Sequence, residues 1–263
     1  MSNPVLQVND ISMDFGGIRA LDDIQLEVRQ GEIAALIGPN GAGKTTFFNC
    51  ITGIYNPTTG DVLVSPGGGE TRRINGMKPN LVTELGMART FQNIRLFPSM
   101  TVLENVMIGT HCRTQAGLWG AVTRNRATRK EEADTIEKSF HLLELMHLDQ
   151  YSNELACNLP YGKQRRLEIA RALATDPFLL LLDEPAAGMN PQETMDLKEL
   201  VMDIRDRFKI SILLIEHDMK MVMSTSDRVF VLEYGRLIAH GTPKEVSENP
   251  AVIKAYLGED EDV

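Results

Sequence analysis

The sequence predicts an α/β fold built on a mainly parallel sheet, and three observations carry that prediction. The runs Ile33–Ile37 and Phe178–Leu182 are wholly apolar, and Ile210–Ile215 is interrupted only by Ser211, as in strands covered on both faces. Segments of helical period separate them, the clearest being 191–207 with Pro191 in its first turn. The first run leads at once into a glycine-rich loop and then a helix-forming stretch, so strand, loop and helix make one unit.

Each element follows in order. Val5–Met13 is apolar at alternating positions, as a half-buried strand is. Ile24–Val28 alternates too and ends in a turn at Gly31. After the strand Ile33–Ile37 and its loop, a helix is expected over Thr45–Thr52. Residues 65–77 are rich in glycine and charge and read as an exposed hairpin connection. Thr101 with Glu104 three residues on is a capping-box pattern. Residues 123–148 have the spacing of an exposed amphipathic helix or helix pair. Its basic residues Arg124, Arg126, Arg129 and Lys130 precede Glu131, Glu132 and Asp134, the arrangement of a solvated face with i,i+4 pairs. Val229–Leu232 and Leu237–Ala239 form a hairpin across Tyr234-Gly235-Arg236, and the acidic end Glu259–Asp262 is expected to fray. No internal repeat is present.

Composition narrows the function. At 263 residues the chain fits one α/β domain with a modest insertion. A hydrophobic share of 43% and a charged share of 24% exclude disorder for the bulk of it. Its 27 Lys and Arg against 36 Asp and Glu leave a net charge of −9, which argues against a nucleic-acid partner. No apolar run reaches the roughly 18 residues of a membrane span, and Met1–Pro4 shows no signal-peptide pattern. Cys50, Cys112 and Cys157 match neither a CxxC pair nor a disulfide framework; they are expected to be reduced and mostly buried. The histidines show no metal-binding spacing.

The chemistry lies in two segments. Gly38-Pro39-Asn40-Gly41-Ala42-Gly43-Lys44-Thr45 fits G-x-x-x-x-G-K-[ST] at every fixed position, after a buried strand and before a helix. The glycines let backbone N–H groups turn toward phosphate oxygens, and the helix dipole points at the same anion. Lys44 supplies a charge to the β- and γ-phosphates of ATP, and Thr45 a hydroxyl to Mg²⁺. The second segment is the buried strand ending in Asp183-Glu184. A carboxylate at such a strand end lies toward the phosphate loop, so Asp183 is expected on Mg²⁺ through water and Glu184 on the attacking water.

With these motifs on the page, the chain resembles the ATP-binding subunits of ABC transporters along nearly its whole length. Gln92 in Arg89–Asn93 looks like the family's Q-loop glutamine, His217 in Ile215–Asp218 its switch histidine, and Phe15 in Asp14–Gly17 its adenine-stacking aromatic. Leu159–Arg166 aligns with the family signature, and Leu167–Leu173 with the helix after it. The resemblance implies a P-loop NTPase with a mainly parallel RecA-like core sheet, an N-terminal antiparallel β-subdomain and a helical subdomain. It implies a single domain over 5–257: core and β-subdomain at about 1–98 and 176–240, helical subdomain at about 99–175, helical tail at 241–263. It implies catalytic roles for Glu184, His217 and Gln92, and nucleotide contacts from Phe15, Gly38, Asn40, Gly41, Ala42, Gly43, Lys44, Thr45 and Thr46. Mg²⁺ is expected on Thr45, Gln92 and Asp183, and a partner's ATP is expected against Pro160, Tyr161, Gly162 and Lys163 across a dimer interface.

Four positions depart from the family pattern. Pro160 stands for the signature serine, Tyr161 for its first glycine and Lys163 for its glutamine, while Asn190 stands where aspartate is usual. Pro160 has no hydroxyl to offer a γ-phosphate; the Gly162 N–H, the helix dipole and the Lys163 charge remain. The Leu-Pro-Tyr-Gly form, the segment Thr110–Arg129 and the ending Gly241–Val246 with Ala255–Gly258 resemble the high-affinity branched-chain amino acid importers. The ATPases of urea uptake and lipopolysaccharide export look similar at the tail. The resemblance implies an ATP-hydrolysing subunit on the cytoplasmic face of the membrane, with a second ABC ATPase, as hetero- or homodimer. Two permease subunits and, indirectly, a periplasmic substrate-binding protein complete the expected complex. The segment Asn93–Met100 is open to two readings, core packing or a groove for a permease helix. A soluble ABC ATPase acting on ribosomes or DNA would have two cassettes or a long coiled coil. A P-loop kinase would leave the ordered Gln92, signature and His217 without a purpose.

Overall fold

A computed structural model describes residues 3–113 and 126–257. Most of the segment Thr110–Arg129, and the acidic end Glu259–Asp262, lie outside the described residues. The chain divides into two units, Met1–Met87 with Phe178–Val263, and Ala88–Pro177.

The first unit holds two sheets. Strands β1 (Pro4–Phe15), β2 (Ile18–Arg29), β4 (Thr59–Val64) and β5 (Arg72–Arg73) form a four-stranded sheet in the order β2-β1-β4-β5, with antiparallel pairing throughout. Register shifts between Val8 and Ile11 bend β1, and Asp10 takes a positive φ of 51° there, as in a bulged strand. Ile24, Leu26 and Val28 are buried at alternating positions of β2, as the sequence alternation there predicts; in β1 the adjacent pair Val5–Leu6 and the run Ile11–Met13 are buried, so that strand is covered on both faces in part.

The other sheet contains β3 (Ile33–Ile37), β7 (Leu179–Asp183), β8 (Ser211–Ile215), β9 (Arg228–Glu233) and β10 (Arg236–Gly241), with β6 (Met87–Arg89) at its edge. Its order is β10-β9-β3-β8-β7-β6. β3 runs parallel to β8 on one side and to β9 on the other, and β7 runs parallel to β8. Every residue of β3, β7 and β8 is buried, which accounts for their nearly continuous apolar character; the polar exceptions are Ser211 at the start of β8 and Asp183 at the end of β7. The hairpin β9–β10 is antiparallel. The expected combination of a mainly parallel core sheet and an antiparallel N-terminal sheet is thus present.

Helix α1 (Lys44–Ile51) follows β3, and Phe47, Phe48 and Ile51 drive it into one core with both sheets. Helix α2 (Pro79–Glu84) precedes β6. Arg228 ties the sheets together: its guanidinium donates to the Glu27 carbonyl at 2.7 Å and to the Glu32 carboxylate at 2.7 and 3.0 Å. In the second unit, α3 (Val102–Thr110), α4 (Arg126–Leu145) and α5 (Tyr161–Leu173) pack together. The capping box at Thr101 and Glu104 opens α3, and a Cβ at Gly109 would lie 2.3 Å from the Arg171 carbonyl, so α3 meets α5 through a glycine. Back in the first unit, α6 (Pro191–Phe208) and α7 (Met219–Thr225) flank β8 in the chain. Helices α8 (Pro243–Ser247) and α9 (Pro250–Leu257) then cover the opposite face of the core sheet, where Val246 and Val252 pack with Ala35, Ile37, Val229 and Val231.

One expectation is corrected. Only Cys50 of the three cysteines is buried; Cys112 is intermediate and Cys157 exposed. Cys157 lies in a one-turn helix, Ala156–Asn158, in which Ala156 takes the buried position and Cys157 the exposed one. The central strand makes a direct test of the packing. Leu213→Ala, at a fully buried position of β8, is expected to cost about 2–5 kcal/mol and to lower the urea midpoint accordingly; an unchanged midpoint would contradict the packing of Leu213 in the core between the sheets.

Candidate active site

Register alone brings three strand ends together. Asp183, the last residue of β7, pairs with Ile215, the last of β8, and Ile215 pairs with Leu36, near the end of β3. The segments that leave these ends are Gly38–Lys44, Glu184–Asn190 and Glu216–Asp218. They emerge on one edge, the carboxyl edge of a parallel sheet where ligands bind in α/β folds.

The phosphate loop needs its glycines. At Gly38 a Cβ would sit 2.1 Å from the Leu232 carbonyl oxygen. Gly43 has φ +104°, and a Cβ there would meet the Ala20 carbonyl at 2.8 Å. The loop is braced from behind, because the Gly235 N–H of the β9–β10 turn donates to the Ala42 carbonyl at 3.0 Å. Gly43 is the N-cap of α1 and supplies no side-chain cap, so the first N–H groups of that helix are left for an anion. Lys44 is only 8% exposed. Its ammonium donates to the carbonyls of Gly38 at 2.6 Å and Pro39 at 3.0 Å. Burial pushes the Lys44 ammonium below the ordinary lysine range, and the charges of Glu184 and Asp183 oppose that push. Thr45 is exposed and Thr46 half-buried on the same turn, after exposed Asn40 and Gly41.

Asp183 is buried at the end of β7, and Glu184 is half-buried one residue on. Glu184 takes φ +45°, a conformation that costs a residue with a side chain about 1–3 kcal/mol and gathers at functional sites. Its N–H donates to the Ile215 carbonyl at 2.9 Å, which holds it there. His217 lies opposite, its Nδ1 3.8 Å from the Glu184 carboxylate and its side chain 62% exposed. That separation is beyond a hydrogen bond and leaves the imidazole turned toward solvent. Asn190 caps α6, its side chain accepting the Glu193 N–H. Asparagine caps as well as aspartate, so this departure keeps the structural role.

Two residues of the site were not singled out by the sequence. Glu216 is fully buried, and its carboxylate accepts the N–H groups of Ala186 at 2.7 Å and His217 at 3.1 Å. Burial raises its pKa although those N–H groups favour the charged form. It fixes the turn after Glu184 to the turn that carries His217, and its signal was a carboxylate at the end of a buried strand, as for Asp183. Tyr256 on α9 is hydrogen-bonded to the backbone of Gly38, while burial raises its phenol to about 12. Nothing local in the sequence connects residues 38 and 256. Phe15 ends β1 with its ring 42% exposed and edge-on to Tyr55 at 5.2 Å, so a face of the ring is available for stacking.

Gln92 and the signature belong to the second unit. Gln92 is exposed, and its carbonyl accepts from Arg165 at 2.6 Å. Pro160 is the N-cap of α5 and makes no side-chain cap. Tyr161 is exposed and Gly162 half-buried on the first turn. Lys163 is engaged inside its own unit: its ammonium lies 3.8 Å from the centre of the Tyr151 ring and donates to the Tyr151 hydroxyl. In the segment Asn93–Met100, Asn105 accepts the Phe97 N–H at 2.9 Å and donates to the Phe97 carbonyl at 3.1 Å, while the Phe97 ring is exposed.

Comparison with known proteins agrees with this geometry. Residues 21–187 match the family model for ABC transporters, and residues 236–262 match the model for the branched-chain amino acid ATP-binding cassette transporter. The chain is 47% identical over 259 residues, 98% of its length and 100% of the relative's, to the high-affinity branched-chain amino acid transport ATP-binding protein LivG of Salmonella typhimurium. It is 46% identical, with the same coverage, to BraF of Pseudomonas aeruginosa, which carries the same description. Among solved structures, the ADP conformation of an ATP-binding cassette of an ABC transporter superposes with a TM-score of 0.83 at 33% identity, covering 98% of this chain and 100% of that one. With the nucleotide-binding geometry in place and relatives of this similarity along its full length, the chain belongs to the ABC transporter family of ATP-binding proteins.

Proposed function

We propose that this ATPase is the motor subunit of an importer for branched-chain amino acids. The observation that carries the reading is the meeting of Lys44, Asp183, Glu184 and His217 at one sheet edge, in a chain 46–47% identical to LivG and BraF. No helix among the described residues is long and apolar enough to cross a membrane, so work on a membrane needs partner subunits. Those are two permeases, a second ABC ATPase and, indirectly, a periplasmic substrate-binding protein, with this subunit on the cytoplasmic face.

The chemistry is transfer of the γ-phosphoryl group of ATP to water, which needs positioning and charge neutralisation above all. On ATP binding, Lys44 exchanges two neutral carbonyl acceptors for charged phosphate oxygens, a stronger kind of hydrogen bond. The N–H groups of Gly41, Ala42, Gly43 and Lys44 and the N-terminus of α1 hold the same oxygens. Asn40 and Thr46 flank them, and Phe15 stacks on the base. The donor set suits Mg²⁺, which takes oxygen ligands: Asp183 would offer a carboxylate, Thr45 a hydroxyl and Gln92 an amide oxygen. When bound, Mg²⁺ neutralises charge on the phosphates. Glu184 accepts the proton of the attacking water, and His217 orients the γ-phosphate and that water. Pro160, Tyr161, Gly162 and Lys163 would close on the ATP of a partner subunit through the Gly162 N–H and the α5 dipole.

Two substitutions test this chemistry. Lys44→Ala is expected to weaken ATP binding about 100-fold, the worth of hydrogen bonds to a charged group at about 3 kcal/mol; a titration with a fluorescent ATP analogue reads it, and unchanged affinity would remove the phosphate loop from nucleotide binding. Glu184→Gln is expected to keep ATP affinity, to lose hydrolysis by about 100-fold or more and to accumulate an ATP-bound dimer on size exclusion. Turnover at the parental rate would remove Glu184 from the role of base.

A further inference from the structure

The largest fully buried side chain among the described residues is an arginine, Arg165, with 0% exposure. It sits four residues after Tyr161 and three before Glu168 on α5, so the three residues share one stripe of the helix. The Arg165 Nη1 donates to the Phe91 carbonyl at 2.5 Å and to the Glu168 carboxylate at 2.8 Å. Its Nη2 donates to the Gln92 carbonyl at 2.6 Å and meets the Tyr161 hydroxyl at 3.2 Å. The other oxygen of Glu168 accepts the N–H groups of Arg95 at 3.1 Å and Phe91 at 3.4 Å.

The hydrogen bonds this pair makes outside α5 go to the backbone of residues 91, 92 and 95. They hold the path of the chain at Gln92 whatever side chains it carries. A buried ion pair contributes little net stability compared with apolar residues of the same size, so this one is poorly explained as a stabiliser of the unit. It is well explained as a device that sets geometry, because guanidinium and carboxylate both bind in fixed bidentate directions. The departure at Tyr161 belongs to the same device. A glycine there could not reach Arg165, whereas the phenol hydroxyl gives the Arg165 Nη2 a second acceptor beside the Gln92 carbonyl; the buried Nε has none.

We propose that Tyr161, Arg165 and Glu168 are positioning residues that join the signature turn to the Phe91–Gln92 backbone, so that Gln92 and the signature are presented to ATP as one piece. The proposal rests on the reading above, in which Gln92 and the signature act on nucleotide. It requires that damage to the bridge lower turnover while leaving ATP binding at the phosphate loop intact, since the phosphate loop belongs to the other unit.

The test uses the full chain with Arg165→Lys, which keeps the charge and loses the fork, and Tyr161→Phe, which loses one hydroxyl. Steady-state hydrolysis, ATP affinity and thermal midpoint are measured on each. We expect ATP affinity within about twofold of the parent, with kcat lower by about tenfold in Arg165→Lys, which loses the forked contacts, and about threefold in Tyr161→Phe, which loses one long contact of 3.2 Å. Parental kcat in both variants would overturn the bridge. So would affinity and kcat falling together in step with a lower thermal midpoint, the mark of a residue that only supports the fold. Should Arg165→Lys not fold, Tyr161→Phe decides by itself, with parental kcat overturning the bridge. These failures leave the motor reading intact provided the parent hydrolyses ATP and Lys44→Ala does not; a parent that neither binds nor hydrolyses ATP overturns the motor reading and the bridge with it.

Discussion

The parallel pairing of β3, β8 and β7 is the constraint from which the site follows. Because Leu36, Ile215 and Asp183 share a register line, the phosphate loop, the Glu216–His217 turn and the Glu184 turn must all leave the sheet on the same edge. No side chain has to search for its neighbours across the molecule. Burial on both faces locks that register, since the three strands expose no residue to water and any slip would cost the packing of every Leu and Ile in them.

On this frame the turns store the chemistry in unusual backbone. Gly38 and Gly43 permit approaches to Leu232 and Ala20 that no side chain would allow. Glu184 accepts a left-handed conformation that aims its carboxylate, and the Ile215 carbonyl and the buried Glu216 hold that turn in place. Lys44 rests on two neutral carbonyls of its own loop and is buried, so a charged phosphate oxygen is the stronger acceptor. The helix α9, with Tyr256 on Gly38, adds the C-terminal segment to the support of the same loop.

Much of this was legible in the sequence, for physical reasons that can be named. Strands buried on both faces are apolar almost throughout, and Ile33–Ile37 agrees residue for residue with β3. A phosphate loop must contain glycine where the backbone turns left-handed, so 38–45 is readable as a motif. Capping is local, and Thr101 with Glu104 forms the box its spacing promised. What stayed hidden depends on distant parts of the chain. Arg165 and Glu168 have the spacing of an ordinary surface ion pair, and only the fold turns that stripe inward onto residues 91–95. Tyr256 and Gly38 are separated by most of the chain. Cys157 looked like an apolar residue for a core, but its helical turn buries Ala156 instead. The departures at Pro160 and Lys163 were visible, yet the capture of the Lys163 ammonium by Tyr151 was not.

The claim that matters most is that ATP turnover in this chain drives transport, and it is tested on the intact assembly. The tagged protein is purified from detergent-solubilised membranes and its companions are identified by mass spectrometry. The account predicts two polytopic membrane proteins and a second ABC ATPase in stoichiometric amounts. A lone homodimer, or ribosomal or DNA-repair proteins in their place, would contradict the transport role while leaving the ATPase chemistry standing.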